Sequence, residues 1–196
     1  SGALYRGKTA GTLGDVGCFS FHPRKVLVTG EGGMCTTNDD ELAAKINCLR
    51  NHGASVSEEQ RHRGNAPYLL PEFNVLGYNY RMTDLQGALG LIQLKRLEGF
   101  ISERDYWARY YDQELAGLEW LRTPARPEGC KASWQAYVCM VDEKKAPLSR
   151  NRLMEYLQEN GISTRPGTQA VHVLGYYRDK YGLRDEDYPV AKDVYE

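Results

Sequence analysis

The stretch Cys18 to Met34, CFSFHPRKVLVTGEGGM, decides the reading of this chain. An apolar, β-prone run from Val16 to Phe21 leads to Lys25, and a second such run, Val26 to Thr29, follows it. Gly30, Gly32 and Gly33 then force a tight reversal into Met34 to Thr37, since glycine takes up turn geometry without steric cost. The pattern sets one lysine at the mouth of a sheet. A lysine amine is protonated and poorly nucleophilic at neutral pH unless burial or a neighbouring positive charge lowers its pKa far enough for Schiff-base chemistry. Lys25 is the candidate for that role. Ser20 can offer a hydroxyl to a phosphate, and the glycine turn leaves backbone open to a ligand. On residue types and spacing alone, a surface Arg24-Lys25 pair beside an ordinary hairpin turn is the commoner reading.

Two blocks of residues change that balance. The first comprises Gly14, Asp15, Ser20, Phe21, His22, Lys25, Gly30, Glu31, Gly32 and Gly33. The second runs Gly77, Tyr78, Asn79, Tyr80, Arg81, Met82 and Thr83, followed by Gln86, Ala88, Gly90, Gln93 and Leu94. In this order they resemble the cofactor-lysine segment and the Asn-Tyr-Arg-Met block of the nucleotide-sugar aminotransferases, the DegT/StrS family of fold type I pyridoxal-phosphate enzymes.

The resemblance implies an α/β fold. Residues 1–100 are expected to form the later part of a fold type I PLP-dependent transferase large domain. Residues 101–196 are expected to form a smaller α/β C-terminal domain, incomplete at its end. The implied cofactor is pyridoxal 5'-phosphate, held covalently by Lys25, with Ser20 as a cofactor-binding residue. The implied assembly is a homodimer in which the amide of Asn79 reaches the cofactor phosphate of the partner subunit. Gln169 to Tyr177 resembles the segment that closes over the nucleotide-sugar. His172 within it reads either as a substrate contact or as a hydrogen-bonded structural residue. The same comparison leads us to expect a partial chain. The aspartate that pairs with the pyridine nitrogen, the ring-stacking aromatic residue and the phosphate-binding helix start would precede Ser1, and a last helix and strand would follow Glu196. The 196 residues alone are then expected to be inactive.

Composition bounds the alternatives. Twenty-five Lys and Arg against 26 Asp and Glu leave a net charge of -1, so no global charge excess argues for nucleic acid or an anionic membrane. Small-molecule chemistry fits better. Cys18, Cys35, Cys48, Cys130 and Cys139 form no Cys-x-x-Cys pair and have no histidines at metal spacing, which reads as free thiols in a reducing cytoplasm and no metal site. No apolar run reaches the ~18 residues of a membrane span, and Ser1 to Thr12 is too polar for a signal peptide.

Local signals set the remaining elements. Asn38 is a candidate cap for a helix with Leu42, Ile46 and Leu49 on one face, ending near Arg50. From His52 to Asn79 the chain reads as a long loop, which the resemblance assigns to the dimer interface and the substrate mouth. Thr83 and Gln86 make a capping box for a helix with Leu85, Leu89, Ile92 and Arg96 in a stripe, and a further helix is expected from Leu97 to Leu115. Trp134 to Val141 is a candidate strand, Ser149 caps a helix bearing Leu153 and Leu157, and Ile162 to Thr164 is expected to return as a strand.

The leading expectation is an enzyme, a PLP-dependent transaminase moving an amino group from an amino acid, glutamate in most of the family, to a nucleotide-linked keto-sugar. Lys25 argues against the family's sugar dehydrases, which carry histidine at that position. The alternative from another class is a non-catalytic sensor or scaffold built on the same fold.

Overall fold

The computed structural model describes residues 1–56, 63, 68, 70–167 and 169–195. It is a mixed helix and strand structure that divides into two compact units. The first unit comprises Ser1–Arg109 and Arg126–Gln135, and the second comprises Tyr110–Ala125 and Ala136–Glu196. The division falls within a helix after Arg109, beyond the boundary expected at residue 100. The segment 126–135 joins the first unit because its strand pairs with the N-terminal strand of the chain.

In the first unit, β1 (Leu4–Tyr5) lies between β2 (Lys8–Thr9) and β6 (Cys130–Lys131), antiparallel to both. A hairpin of β3 (Gly17–Ser20) and β4 (Gly33–Thr36) pairs Gly17 with Thr36 through Ser20 with Gly33. Between its strands the second β-prone run does not form a strand. Val26, Leu27 and Thr29 are buried, yet their backbone turns: Lys25 N–H donates to the His22 carbonyl at 2.9 Å and Thr29 N–H to the Phe21 carbonyl at 3.0 Å. Their apolar character reflects burial of a loop, which periodicity over four residues does not separate from a strand.

Helix α1 (Asp40–Arg50) is capped by Asp39 instead of the expected Asn38. The Asp39 carboxylate accepts the N–H groups of Glu41 and Leu42 at 2.9 and 3.0 Å, and the Thr37 hydroxyl accepts the Asp39 N–H at 3.1 Å. A carboxylate at the positive end of the helix is favoured over a carboxamide by the helix dipole. Leu42, Ile46 and Leu49 are half-buried along one face, as their spacing predicts. Of the expected 52–79 loop, residues 57–62, 64–67 and 69 lie outside the described residues.

The two helices expected between Thr83 and Leu115 are one, α2 (Asp84–Glu114), 31 residues long. Thr83 and Gln86 form the expected capping box: Thr83 N–H donates to Gln86 Oε1 at 2.8 Å and Gln86 N–H to Thr83 Oγ1 at 3.3 Å. Gly99 does not break the helix, and a Cβ placed there would meet open space. Ile101 is fully buried on α2, while Leu85, Leu89 and Ile92 are exposed. Beside Ile101, Asp105 accepts from Arg109 (2.8 Å), Arg126 (2.7 Å) and the Trp134 indole (2.8 Å), tying 126–135 to the helix.

In the second unit, β5 (Leu121–Arg122) pairs antiparallel with β7 (Met140–Val141). Only these last two residues of the expected Trp134 to Val141 strand are extended ladder. Trp134 has a φ of +51°, a left-handed angle that interrupts a strand. Ser149 accepts the Arg152 N–H and starts α3 (Arg150–Glu159), with Leu153 and Leu157 half-buried. Ile162 to Thr164 does not form a strand, since the Ile162 N–H turns back to the Leu157 carbonyl at 2.8 Å and closes the helix end. A 3-10 turn at Val171–Val173, α4 (Gly175–Tyr181), a second 3-10 turn at Asp185–Asp187 and α5 (Pro189–Tyr195) complete the unit.

Candidate active site

Lys25 sits on the loop that crosses from β3 toward β4, half-buried, between exposed Arg24 and buried Val26. Its ammonium has no carboxylate or hydrogen-bond partner among the described residues. An amine already committed to an ion pair is a poor candidate for covalent work, so this freedom fits the role expected of Lys25. Ser20 ends β3 and is exposed, and among the described residues its Oγ accepts the His22 N–H alone, at 3.4 Å. That leaves the hydroxyl proton to donate to a phosphate oxygen.

His22 organises the loop. Its Nδ1 accepts the Arg24 N–H at 3.2 Å, which puts the proton of the neutral ring on Nε2. Nε2 lies 3.8 Å from the Glu31 carboxylate. The glycine turn is fixed from two sides. The Thr29 hydroxyl donates to the Glu31 carbonyl at 2.7 Å, and Gln86 Nε2 from α2 donates to the same oxygen at 2.8 Å. Gly32 is required here: its φ is +155°, and a Cβ would lie 2.5 Å from Thr29 Oγ1. The two sequence blocks, apart in the chain, thus meet at one carbonyl. Sequence reasoning missed Thr29 and the tertiary bond of Gln86, which it marked as a capping residue and as a member of the second block.

Asn79 is positioned by the end of α1. Tyr78 N–H donates to the Leu49 carbonyl at 2.7 Å, Tyr80 N–H to the Arg50 carbonyl at 2.9 Å, and His52 N–H to the Tyr78 carbonyl at 2.8 Å, so Asn79 pairs with Asn51 in an antiparallel bridge. Arg81 clamps the same turn through Asn51 Oδ1 at 2.8 Å. Tyr78 and Tyr80 stack with centroids 5.0 Å apart, and Asn79 is exposed between them. The structure brings Ser20 and Lys25 together on one hairpin; among the described residues no hydrogen bond links Asn79 to either.

His172 belongs to the second unit and is 4% exposed. Its ring stacks on Tyr188 at 5.1 Å, and Nε2, 3.6 Å from Asp185 Oδ1, has no hydrogen-bond partner among the described residues. The Lys192 ammonium, bonded to Asp185 at 2.8 Å, holds the Asp185 carboxyl below the usual carboxylate range.

Lys25 thus stands on a glycine-closed hairpin that a capped helix from the second block buttresses. The chain belongs to the DegT/DnrJ/EryC1/StrS aminotransferase family, whose model matches residues 1–196. It is 38% identical over 192 residues to the spore coat polysaccharide biosynthesis protein SpsC of Bacillus subtilis, covering 97% of this chain and 49% of that protein. It is 37% identical over 193 residues to GDP-perosamine synthase of Caulobacter vibrioides, covering 97% of this chain and 48% of that one. Among solved structures, Spr1654 from Streptococcus pneumoniae in its PMP form superimposes with a TM-score of 0.87 at 27% identity, over 100% of this chain and 49% of that chain. The chain spans about half the length of these relatives. Spr1654 has also been solved in a PLP form, and the family is pyridoxal-phosphate-dependent.

Proposed function

We propose that the protein carrying this chain transfers an amino group from an amino acid, glutamate, to a keto-sugar linked to a nucleotide, as a cytoplasmic homodimer that makes amino sugars for cell-surface polysaccharide or antibiotic synthesis. The observation that carries this reading is Lys25, an amine without an ion-pair partner among the described residues, on a glycine-closed hairpin in a chain matched end to end by an aminotransferase family. Its residues fit pyridoxal phosphate. Lys25 supplies the covalent anchor, the Ser20 hydroxyl and the Asn79 carboxamide are donors for the phosphate, and Asn79 serves the partner subunit's cofactor. When bound, the cofactor supplies an electron sink for charge developing on the amino-bearing carbon.

The protein's own task is orientation and proton transfer. Lys25 Nζ would hold the cofactor and, when free, would carry a proton between the two ends of the shift as acid and base. His22 and Glu31 hold the loop shape that aims the amine. His172 is assigned to the substrate side of the second unit, supported by its buried Nε2 without a hydrogen-bond partner among the described residues, a polar atom that a sugar or phosphate oxygen would satisfy.

Borohydride reduction of the purified protein loaded with pyridoxal phosphate, followed by peptide mapping, tests the anchor. A pyridoxyl group on the peptide containing Lys25, absent from Lys25→Ala, is expected. Reduction onto another lysine would overturn the assignment, and a Lys25 adduct without conversion of glutamate to its keto acid would favour the sensor or scaffold alternative.

A further inference from the structure

The β3–β4 hairpin carries a second reactive pair. Cys18 and Cys35 are directly opposed across the strands, and their Sγ atoms are 4.0 Å apart. Phe21 N–H donates to the Gly32 carbonyl at 2.9 Å, so Phe21 and Gly32 are a hydrogen-bonded pair. Pairs alternate along an antiparallel ladder, which makes Phe19 and Met34 hydrogen-bonded and Cys18 and Cys35 a non-hydrogen-bonded pair. Cα atoms at such a site approach to about 4.5 Å, at the near end of the span a disulfide bridges, roughly 4.4–6.8 Å. Side-chain rotation alone therefore suffices to bring the sulfurs to bonding distance. Both residues are exposed, and all five cysteines are free thiols. Among the described residues no group of three His, Cys, Asp or Glu side chains is placed to hold a metal ion, which disfavours a metal shell around this pair. The two thiols sense each other: burial and the Cys18 sulfur push the Cys35 thiol above its ordinary pKa.

We propose that Cys18 and Cys35 are a modification site that closes to a cross-strand disulfide by exchange with a small oxidised thiol such as glutathione disulfide. One thiolate attacks a glutathione sulfur, breaking that S–S bond and releasing one glutathione thiolate. The second protein thiolate then attacks the protein sulfur of the mixed disulfide and releases the second glutathione. The protein loses two electrons and two protons; the glutathione disulfide gains the electrons, and the protons pass through solvent to the released thiolates. Closure links β3 to β4 one turn of the pleat from Ser20 and Gly33, locking the register of the hairpin that carries Lys25. The site stands on hairpin geometry and is independent of the aminotransfer reading.

The test is incubation of the reduced 196-residue chain with glutathione disulfide, acid quenching, alkylation and mass spectrometry. Three of the five thiols should remain alkylatable, the intact mass should fall by about 2 Da, and tryptic peptides 9–24 and 26–45 should be joined. Dithiothreitol should restore all five. In Cys35→Ser, Cys18 should stop at a stable glutathione adduct, while Cys48→Ser should still close the link. The proposal is overturned if all five thiols stay alkylatable, if a glutathione adduct persists on Cys18 or Cys35 of the parent chain, or if the joined peptides carry Cys48, Cys130 or Cys139.

Discussion

Gln86 Nε2 donates to the carbonyl oxygen of Glu31 at 2.8 Å, binding the first turn of α2 to the glycine turn below Lys25. The same carboxamide accepts from Thr83 through Oε1. One side chain therefore caps a helix and fixes the loop of the candidate nucleophile.

Gln86→Leu should remove both functions, with a stability loss of about 1–2 kcal/mol, the worth of a cap and a net hydrogen bond. Gln86→Glu should keep the cap and lose the bond to Glu31, recovering part of that loss. Urea midpoints of the three proteins decide this. If the glutamate variant is as unstable as the leucine one, the bond to Glu31 is not where the energy lies.

Asn79→Ala should weaken retention of pyridoxal phosphate by about one to two powers of ten, since a carboxamide donating to an anionic phosphate contributes about 1.5–3 kcal/mol. Titration of the protein carrying this chain, read by cofactor absorbance, measures it. Unchanged affinity together with an intact dimer would remove Asn79 from the phosphate site.

Gly77→Ala should be costly for a different reason. A Cβ there would lie 2.0 Å from the Gly53 nitrogen and 2.3 Å from the His52 carbonyl carbon, so backbone must move. A loss of about 2 kcal/mol or more is expected, with the stacked Tyr78 and Tyr80 displaced from the end of α1. Thermal unfolding measures the loss, and an unchanged melting temperature would contradict the observed packing.

Asp105 gives the pH dependence. Hydrogen bonds from Arg126 and Arg109, against a smaller desolvation cost, lower its carboxyl to about 2 from an ordinary 3.8. A folded-state pKa below the unfolded value stabilises the fold fully above the unfolded pKa and loses that contribution as pH falls through the folded one. The window is therefore about pH 4 to pH 2. At 30% side-chain exposure, solvent screening holds the contribution to about 1 kcal/mol. Asp105→Asn should be less stable than the parent at pH 7 and should flatten the acid limb between these values. Parallel acid limbs for the two proteins would show that Asp105 is not the group titrating.

The sequence by itself determined what depends on near neighbours. The Thr83–Gln86 box, the Ser149 cap, the apolar face of α1 and the β3–β4 reversal at its glycines all follow from side chains and backbone within a few residues of one another. Lys25, Ser20 and Asn79 were legible as members of two ordered blocks. Tertiary structure decided the rest. Val26 to Thr29 is a buried loop because the body of the unit covers it, and apolar residues look alike in a buried loop and a strand. The Asp105 cluster draws on residues 105, 109, 126 and 134, and the Cys18–Cys35 pair on two strands in one register. Such contacts join distant positions in the chain, and only the folded path of the backbone states which distant positions meet.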